Sequence, residues 1–148
     1  MSTIRLTLTS TSRGAMPPYV DRRPAGMTVL QYQHEVTSPR DPATGQATGK
    51  RQHSPIHVVH EVNEWSPFLL GAIVVNELFS SVLIEFFDGK AANPRKVYEV
   101  RLTHVVVTSV RKFVEAQQLM EEIQLTFQTI EETHTQTGNL GSDSISQQ

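Results

Sequence analysis

Apolar residues alternate with polar ones along several short stretches of this 148-residue chain, and this period of two is its most restrictive feature. Ile4, Leu6 and Leu8 show the alternation first, and it returns with β-branched and aromatic residues at 82–86, 98–102 and 123–127. Since successive side chains of a strand point to opposite faces, each stretch predicts a strand with one buried face. About seven such strands predict a mostly β fold, either a barrel or a sandwich.

The segment 27–36 continues the alternation and predicts another strand. Leu30, Tyr32 and Val36 fall on its apolar side. His34 shares that side, and we expect it to be a buried or half-buried structural histidine.

One stretch has a helical pattern, and it is short. Ser66 is placed to cap the helix, and Pro67 suits its first position. Trp65 precedes it and is expected to pack against the core. Four apolar residues then share one helical face: Phe68, Leu69, Ala72 and Ile73.

A long polar segment follows the 27–36 strand, with two prolines and two glycines between residues 37 and 53. Such loops are uncommon in compact domains and are usually functional or disordered. The residues alone leave two interpretations open, a flexible hairpin tip or an arm that becomes ordered against a neighbouring molecule. The last residues, 138–148, lack apolar periodicity and predict a polar C-terminal tail after a single domain at 1–137.

Composition excludes several functions. The chain has no cysteine, which excludes disulfides, cysteine-based zinc sites and thiol catalysis. No apolar run approaches the ~20 residues that span a bilayer, and the first residues lack the pattern of a cleaved signal peptide. We therefore expect no membrane insertion. The net charge of −2 argues against nucleic acid as the partner.

The charge is also unevenly placed along the chain. Residues 1–53 carry seven Lys/Arg and three Asp/Glu, for +4, whereas residues 54–148 carry six and twelve, for −6. This asymmetry suggests the hypothesis that copies of the chain associate head to tail.

No catalytic or ligand-binding set emerges from the residues. His57 and His60 lie three apart on a predicted strand and point to opposite faces, so they do not predict a shared metal. Glu121 and Glu122 alternate faces in the same way and do not predict an acid/base pair. The segment 45–51 lacks the spacing of a phosphate loop. We expect no enzyme activity, no metal and no cofactor.

One run of residues resembles a known family. Gly49-Lys50-Arg51-Gln52-His53-Ser54-Pro55, followed by a strand and then by Ser66-Pro67-Phe68-Leu69, is similar to the corresponding run of the Hcp (haemolysin-coregulated protein) family. These proteins are inner-tube subunits of bacterial type VI secretion systems. Three further segments, at 36–45, 102–110 and 130–134, support the likeness, although Glu132 stands where the family often has Trp.

The resemblance implies a closed antiparallel β-barrel with a short helix on its side and an extended loop. It also implies hexameric rings that stack into a tube, with a VgrG-type spike, sheath proteins and small effector proteins in the lumen as partners. The protein is then cytoplasmic before secretion without a cleaved signal. The extended loop takes the role of subunit and ring interface, which falls on Ser38, Pro39, Arg40, Asp41, Thr44, Gly45, Thr48, Gly49, Lys50, Arg51 and His53.

Two other interpretations remain at this point. A tail-tube protein of a phage or of an extracellular contractile particle would share the architecture. A monomeric ligand-binding β-barrel would share the strand pattern without the assembly.

Overall fold

The computed structural model describes residues 2–12, 14–16, 26–89 and 94–145. Most of these residues are in β-strands, as predicted, and one short helix accompanies them. The elements in chain order are β1 (Ser2–Ser10), β2 (Gly14–Met16), β3 (Met27–Val29), β4 (Gln31–Gln33), β5 (Val36–Thr37), β6 (Gln52–His53), β7 (Ile56–Glu61), α1 (Ser66–Val74), β8 (Leu78–Asp88), β9 (Arg95–Glu115), β10 (Gln118–Thr126), β11 (Thr129–His134) and β12 (Asn139–Ser144).

All strand pairs are antiparallel, and ten strands form one sheet. The hydrogen-bonded path runs β2-β1-β8-β9-β10-β7-β4, with β3 also paired to β1 and the β11–β12 hairpin paired to β9. β5 and β6 form a separate two-stranded ribbon. The three prolines and two glycines of residues 13–26 predict a loop. β2 occupies Gly14–Met16 of this stretch, and residues 13 and 17–25 lie outside the described part.

The 21-residue strand β9 holds the sheet together because it changes partners along its length. Its first half pairs with β8 on one side and β11 on the other, and its second half pairs with β10. The change occurs at His104, whose φ of 51° interrupts the extended backbone.

The strand pairing does not show whether the sheet closes into the predicted barrel. Among the described residues the path starts at β2 and ends at β4, and β4 does not pair with β1. Closure therefore stays a prediction.

The core consists of the inward faces of the strands, with α1 packed against them. Leu6, Ile84, Leu102 and Ile123 are fully buried there. Such burial stabilises each side chain by roughly 1.5–3 kcal/mol. Trp65 packs against this cluster as predicted.

The helix begins where predicted, but its cap and its buried face differ. Trp65 is the N-cap, and no side chain caps the helix. Ser66 is instead buried within the helix, where its Oγ accepts the Asn63 N–H at 3.1 Å. Leu69 and Ala72 are buried, whereas Phe68 is 41% exposed. Of the described residues, none lies in a helix long and apolar enough to cross a membrane.

Two further predictions are wrong. The alternation at 27–36 shifts at Leu30, because Met27 and Val29 are buried while Leu30 and Val36 are exposed. The segment after 138 is a strand rather than an unpaired tail, because β12 pairs with β11 along its whole length. Polar residues form this strand because the backbone ladder, rather than apolar burial, holds it in place.

Candidate functional site

The extended loop is an ordered hairpin, here called the arm and comprising residues 36–53. β5 and β6 form its base. Farther out, Arg40 pairs with Ala47 in an isolated bridge, and the Thr48 N–H donates to the Pro39 carbonyl at 3.0 Å. At the tip the Gly45 N–H donates to the Asp41 carbonyl at 2.8 Å, and the Ala43 N–H donates to the Asp41 side chain. The tip is therefore a hydrogen-bonded turn, for which Asp and Gly are suited.

The arm projects from the domain. Between residues 38 and 52 only Pro39 and Asp41 are partly covered, and the others are exposed. A Cβ atom placed on Gly45 or Gly49 would meet no atom within 4 Å. The arm therefore gains almost nothing from burial within its own chain.

A network of polar side chains fastens the base of the arm to β12. The Arg51 guanidinium donates two hydrogen bonds to the Asp143 carboxylate, at 2.9 and 2.8 Å. His53 Nε2 lies 2.7 Å from the same carboxylate. These contacts join residues about 90 positions apart in sequence. Hydrogen bonds from Arg51 and then His53 hold the pKa of Asp143 well below its ordinary value, so the carboxylate is ionised.

His34 completes this network from the side of the sheet. Its Nε2 lies 3.1 Å from His53 Nδ1, and the two rings stack with centroids 5.3 Å apart. Phe127 contacts both rings edge-on. Burial, and then the neighbouring His53, lower the pKa of His34. His34 is half-buried, as predicted.

An open cleft of about 680 Å³ lies beside the network. It is lined by side chains of both signs, including Arg51, Glu132 and Asp143. Glu132 accepts a hydrogen bond from the Tyr98 hydroxyl at 2.9 Å. The part of the chain that the structure describes contains no cluster of three His, Asp or Glu side chains arranged to hold a metal ion.

A second ionic group is buried where β10 lies between β7 and β9. Glu121 lies directly opposite His60 on β7 and Lys112 on β9. Its carboxylate is 2.9 Å from His60 Nε2 and 3.1 Å from Lys112 Nζ, and the side chains of Glu121 and His60 are fully buried. The His60 contact is an ion pair that lacks hydrogen-bond alignment.

The protonation of this buried group follows from its contacts. Burial by itself would raise the pKa of Glu121, but the close contacts with His60 and Lys112 hold it below its ordinary value. His60 Nδ1 faces the Glu61 carbonyl at 2.7 Å. The Asn63 side-chain nitrogen lies 3.5 Å from the same His60 Nδ1. Of the Glu121, His60 and Lys112 side chains, only that of Lys112 is exposed to solvent.

Sequence reasoning located the arm but missed what holds it. All eleven predicted interface residues lie on the arm, and of these Arg51 and His53 meet at its base. Asp143 was assigned to a tail and carries no signal in one sequence, because its partner is a non-local contact. The pairing of Glu121 with His60 was missed because it depends on strand register. His57 and His60 do point differently, with His60 alone fully buried.

Residues 18–134 match the protein family described as "Type VI secretion system effector, Hcp". A protein of Pseudomonas aeruginosa named "Major exported protein" is 30% identical over 124 residues, which cover 78% of this chain and 72% of that protein.

Solved structures share the fold at lower identity. Hcp1 of the Escherichia coli EAEC 042 pathovar superposes with a TM-score of 0.84 at 22% identity, covering 96% of this chain and 97% of that one. The secreted protein Hcp3 from Pseudomonas aeruginosa superposes with a TM-score of 0.80 at 21% identity, covering 97% and 98%.

Proposed function

We propose that this chain, which belongs to the Hcp family of type VI secretion proteins, is a structural subunit of the tube that such a system expels. In this proposal copies of the chain close into hexameric rings, and the rings stack into a tube. The work of the protein is mechanical rather than catalytic. The observation that carries the proposal is the arm, which is ordered although almost all of its residues between 38 and 52 are exposed in the single chain.

The arm supports a role in contacts between subunits. Ordering a residue costs about 1–2 kcal/mol of conformational entropy, and an isolated two-stranded hairpin is at best marginally stable in water. The arm has the hydrogen bonds of a hairpin but no buried side chain at 40 or 42–50 to offset that cost. A neighbouring copy that covers the arm would supply the missing burial. The proposed interface residues are the eleven named above, from Ser38 to His53.

Exposed apolar side chains also favour association. Leu70, Val74 and Val75 are 52–72% exposed on and just after α1. Val114 and Leu119, directly paired across the end of the β9–β10 hairpin, are 69% and 48% exposed. Clusters of large exposed apolar residues mark interaction surfaces in soluble proteins. Heterologous contacts of this kind build rings when the rotation closes and extended stacks when it does not.

Barrel closure belongs to the same proposal. β3 pairs with β1 and β4 pairs with β7, and only Leu30 separates β3 from β4. One short segment therefore contacts both ends of the strand path, which supports a barrel closed by that segment. The residues facing the ring's lumen are not assigned by this argument.

The remaining partners follow from the family. We propose a VgrG-type spike at the end of the tube, sheath proteins around it and small effector proteins in the lumen. The subunit is then made in the cytoplasm and exported with the tube, without a cleaved signal peptide. Residues 1–53 and 54–148 carry opposite net charges, which would attract each other between stacked copies. Because salt screens this attraction, we expect stacking to weaken as the salt concentration is raised.

A shortened arm tests the proposal. A variant lacking Thr44–Gly49 is expected to keep its far-UV circular dichroism and its ring mass in sedimentation velocity, and to form fewer or shorter tubes in negative-stain electron microscopy. The charge reversals Arg40→Glu and Lys50→Glu, at exposed arm positions outside the β12 network, are expected to reduce stacking without altering the fold. Intact tubes from the deletion variant and from the charge-reversal variants would exclude the arm as the ring interface.

Two outcomes favour the rival functions. A clean monomer of the unaltered chain at high concentration would support a ligand-binding barrel and count against the tube. Rings that stack, encoded beside phage structural genes rather than beside sheath, baseplate and membrane-complex genes of a secretion system, would support a tail-tube protein.

A further inference from the structure

We propose that His34 and His53 form an acid-sensitive latch across the base of the arm, which is closed at neutral pH and opens when both imidazoles are protonated. The latch is a property of the single chain. Only its consequence for ring stacking rests on the proposed function, so the two are tested separately.

The hydrogen-bond chain assigns the protons. The ionised Asp143 carboxylate accepts only, so His53 carries its proton on Nε2, 2.7 Å away. In the neutral ring His53 Nδ1 is then an acceptor, and the His34 Nε2–H at 3.1 Å is its donor. The tautomers of both rings are assigned from this network. Each nitrogen that faces another group has a matched partner.

The same geometry sets how many protons the pair tolerates. One added proton is accommodated. A doubly protonated His53 donates to the Asp143 carboxylate and also to His34 Nε2, provided that His34 carries its proton on Nδ1. With both imidazoles doubly protonated, N–H faces N–H across 3.1 Å, and two positive charges lie in stacked rings. No reorientation within the contact satisfies both donors, so the rings must separate.

The surrounding groups act in both directions. Burial and the nearby His53 lower the pKa of His34, whereas the charge of Glu132 raises it. The charged and titratable groups around the two rings come from the arm and four strands: Arg51 on the arm, Asp143 on β12, Glu132 on β11, Tyr98 on β9 and Tyr32 on β4.

The sign of the pH dependence follows from the lowered pKa of His34. The folded state holds His34 neutral more strongly than the unfolded state does. The contribution of His34 to the closed latch is therefore complete above its ordinary pKa of 6.5, and it is lost as the pH falls below that value. Asp143 acts far lower, since its pKa is well below its ordinary value of 3.8, and it stays ionised through this range.

Opening the latch loosens the base of the arm. β5 and β6 contribute two residue pairs there, Val36 with His53 and Thr37 with Gln52. Because His53 belongs to one of these pairs, separation of its ring from that of His34 strains the ribbon. The contacts of Arg51 and His53 with Asp143 remain, as does the backbone bond from the Ser54 N–H to the Glu35 carbonyl. We therefore expect the opened state to keep the domain folded while the arm becomes less protected from hydrogen exchange.

Hydrogen exchange measured by mass spectrometry tests the latch. The exchange rates of peptides that cover the arm and β12 are compared at pH 7.5 and pH 5. Each rate is divided by the intrinsic exchange rate at that pH, and the protein is kept dilute. Below the midpoint of the pH transition, we expect the corrected exchange rate of the arm to rise by up to about tenfold for each unit that the pH falls. This is the limit for an opening linked to the binding of one further proton. Peptides of β8 and of the first half of β9 serve as internal references that stay unchanged.

Two variants separate the latch from general acid sensitivity. His34→Gln keeps an N–H donor for His53 but cannot be protonated, so its arm is expected to stay protected at pH 5. His104→Asn removes an exposed histidine at a positive φ that asparagine tolerates, and it is expected to open as the unaltered chain does.

Three results would overturn the latch. The first is equal corrected exchange of the arm at both pH values, and the second is an H34Q variant that opens like the unaltered chain. The third is an imidazole nitrogen spectrum at neutral pH in which His53 carries its proton on Nδ1. Since all three are read from the dilute chain, a failure of tube formation leaves them interpretable.

Discussion

The buried ion pair between Glu121 and His60 allows a quantitative prediction about stability. Both side chains are fully buried, and their charged atoms are 2.9 Å apart. At an effective dielectric constant of about 20, this distance gives a gross attraction of about 6 kcal/mol. Desolvation of the two groups offsets most of that gain, so the net worth of the pair is far smaller. Removal of one partner is costly because it leaves the other buried without its counter-charge.

We expect Glu121→Leu to lower the free energy of unfolding by about 3 kcal/mol, the lower end of the range for breaking a buried pair. His60→Leu should cost less, since Lys112 still contacts the carboxylate. The double variant H60L/E121L places two apolar residues side by side and should lie closer to the unaltered chain than E121L does.

Urea unfolding followed by the fluorescence of Trp65, the only tryptophan, measures these differences. All variants are compared at one protein concentration, because association shifts apparent stability. Glu122→Leu is the matched control. Glu122, which follows Glu121 in the strand, forms a partly exposed ion pair with Arg111 at 3.5 Å, and we expect a change within about 0.5 kcal/mol.

The pH dependence checks the same reasoning. Because the pKa of Glu121 lies below its ordinary value of 4.5, its contribution is present above that pH and is lost as the pH falls through the folded pKa. E121L should therefore lose less stability in acid than the unaltered chain. The reasoning would be refuted if the double variant lost the sum of the two single losses, or if E121L and E122L were equally stable.

Three further predictions concern the backbone and are measured by the same urea unfolding. Gly71→Ala should stabilise the chain by about 0.5–1 kcal/mol, because Gly71 is exposed inside α1 with nothing within 4 Å of an added Cβ. Ala116→Asn with Gln117→Gly should stabilise it by about 1 kcal/mol, because both turn residues have positive φ (50° and 65°) and Asn-Gly suits such a hairpin turn. Gly26→Ala should destabilise by about 2 kcal/mol, because φ is 122° and the new Cβ would lie 2.9 Å from the Leu6 carbonyl oxygen; an unchanged stability would contradict this account.

Much of the strand content was predictable because apolar and polar residues alternate within short stretches of the chain. The apolar positions around Leu6, Ile84, Leu102 and Ile123 are buried as their period of two indicates. The helix at 66–74 was predictable for a similar reason, since Pro67 and the following apolar residues are local signals. Its cap was not, because Ser66 is drawn into the core by contacts with Asn63 and Glu121 that propensity does not encode.

By itself the sequence determined that this protein is mostly β, that it has one short helix and that a polar arm interrupts the strands, since each of these depends on residues close together in the chain. Tertiary structure alone decided that the polar residues at 139–144 form a strand and that Asp143 meets Arg51 and His53. It also decided that Glu121 is buried opposite His60. These features depend on strand register between distant segments, and a shift of one residue would turn each of these side chains to the other face.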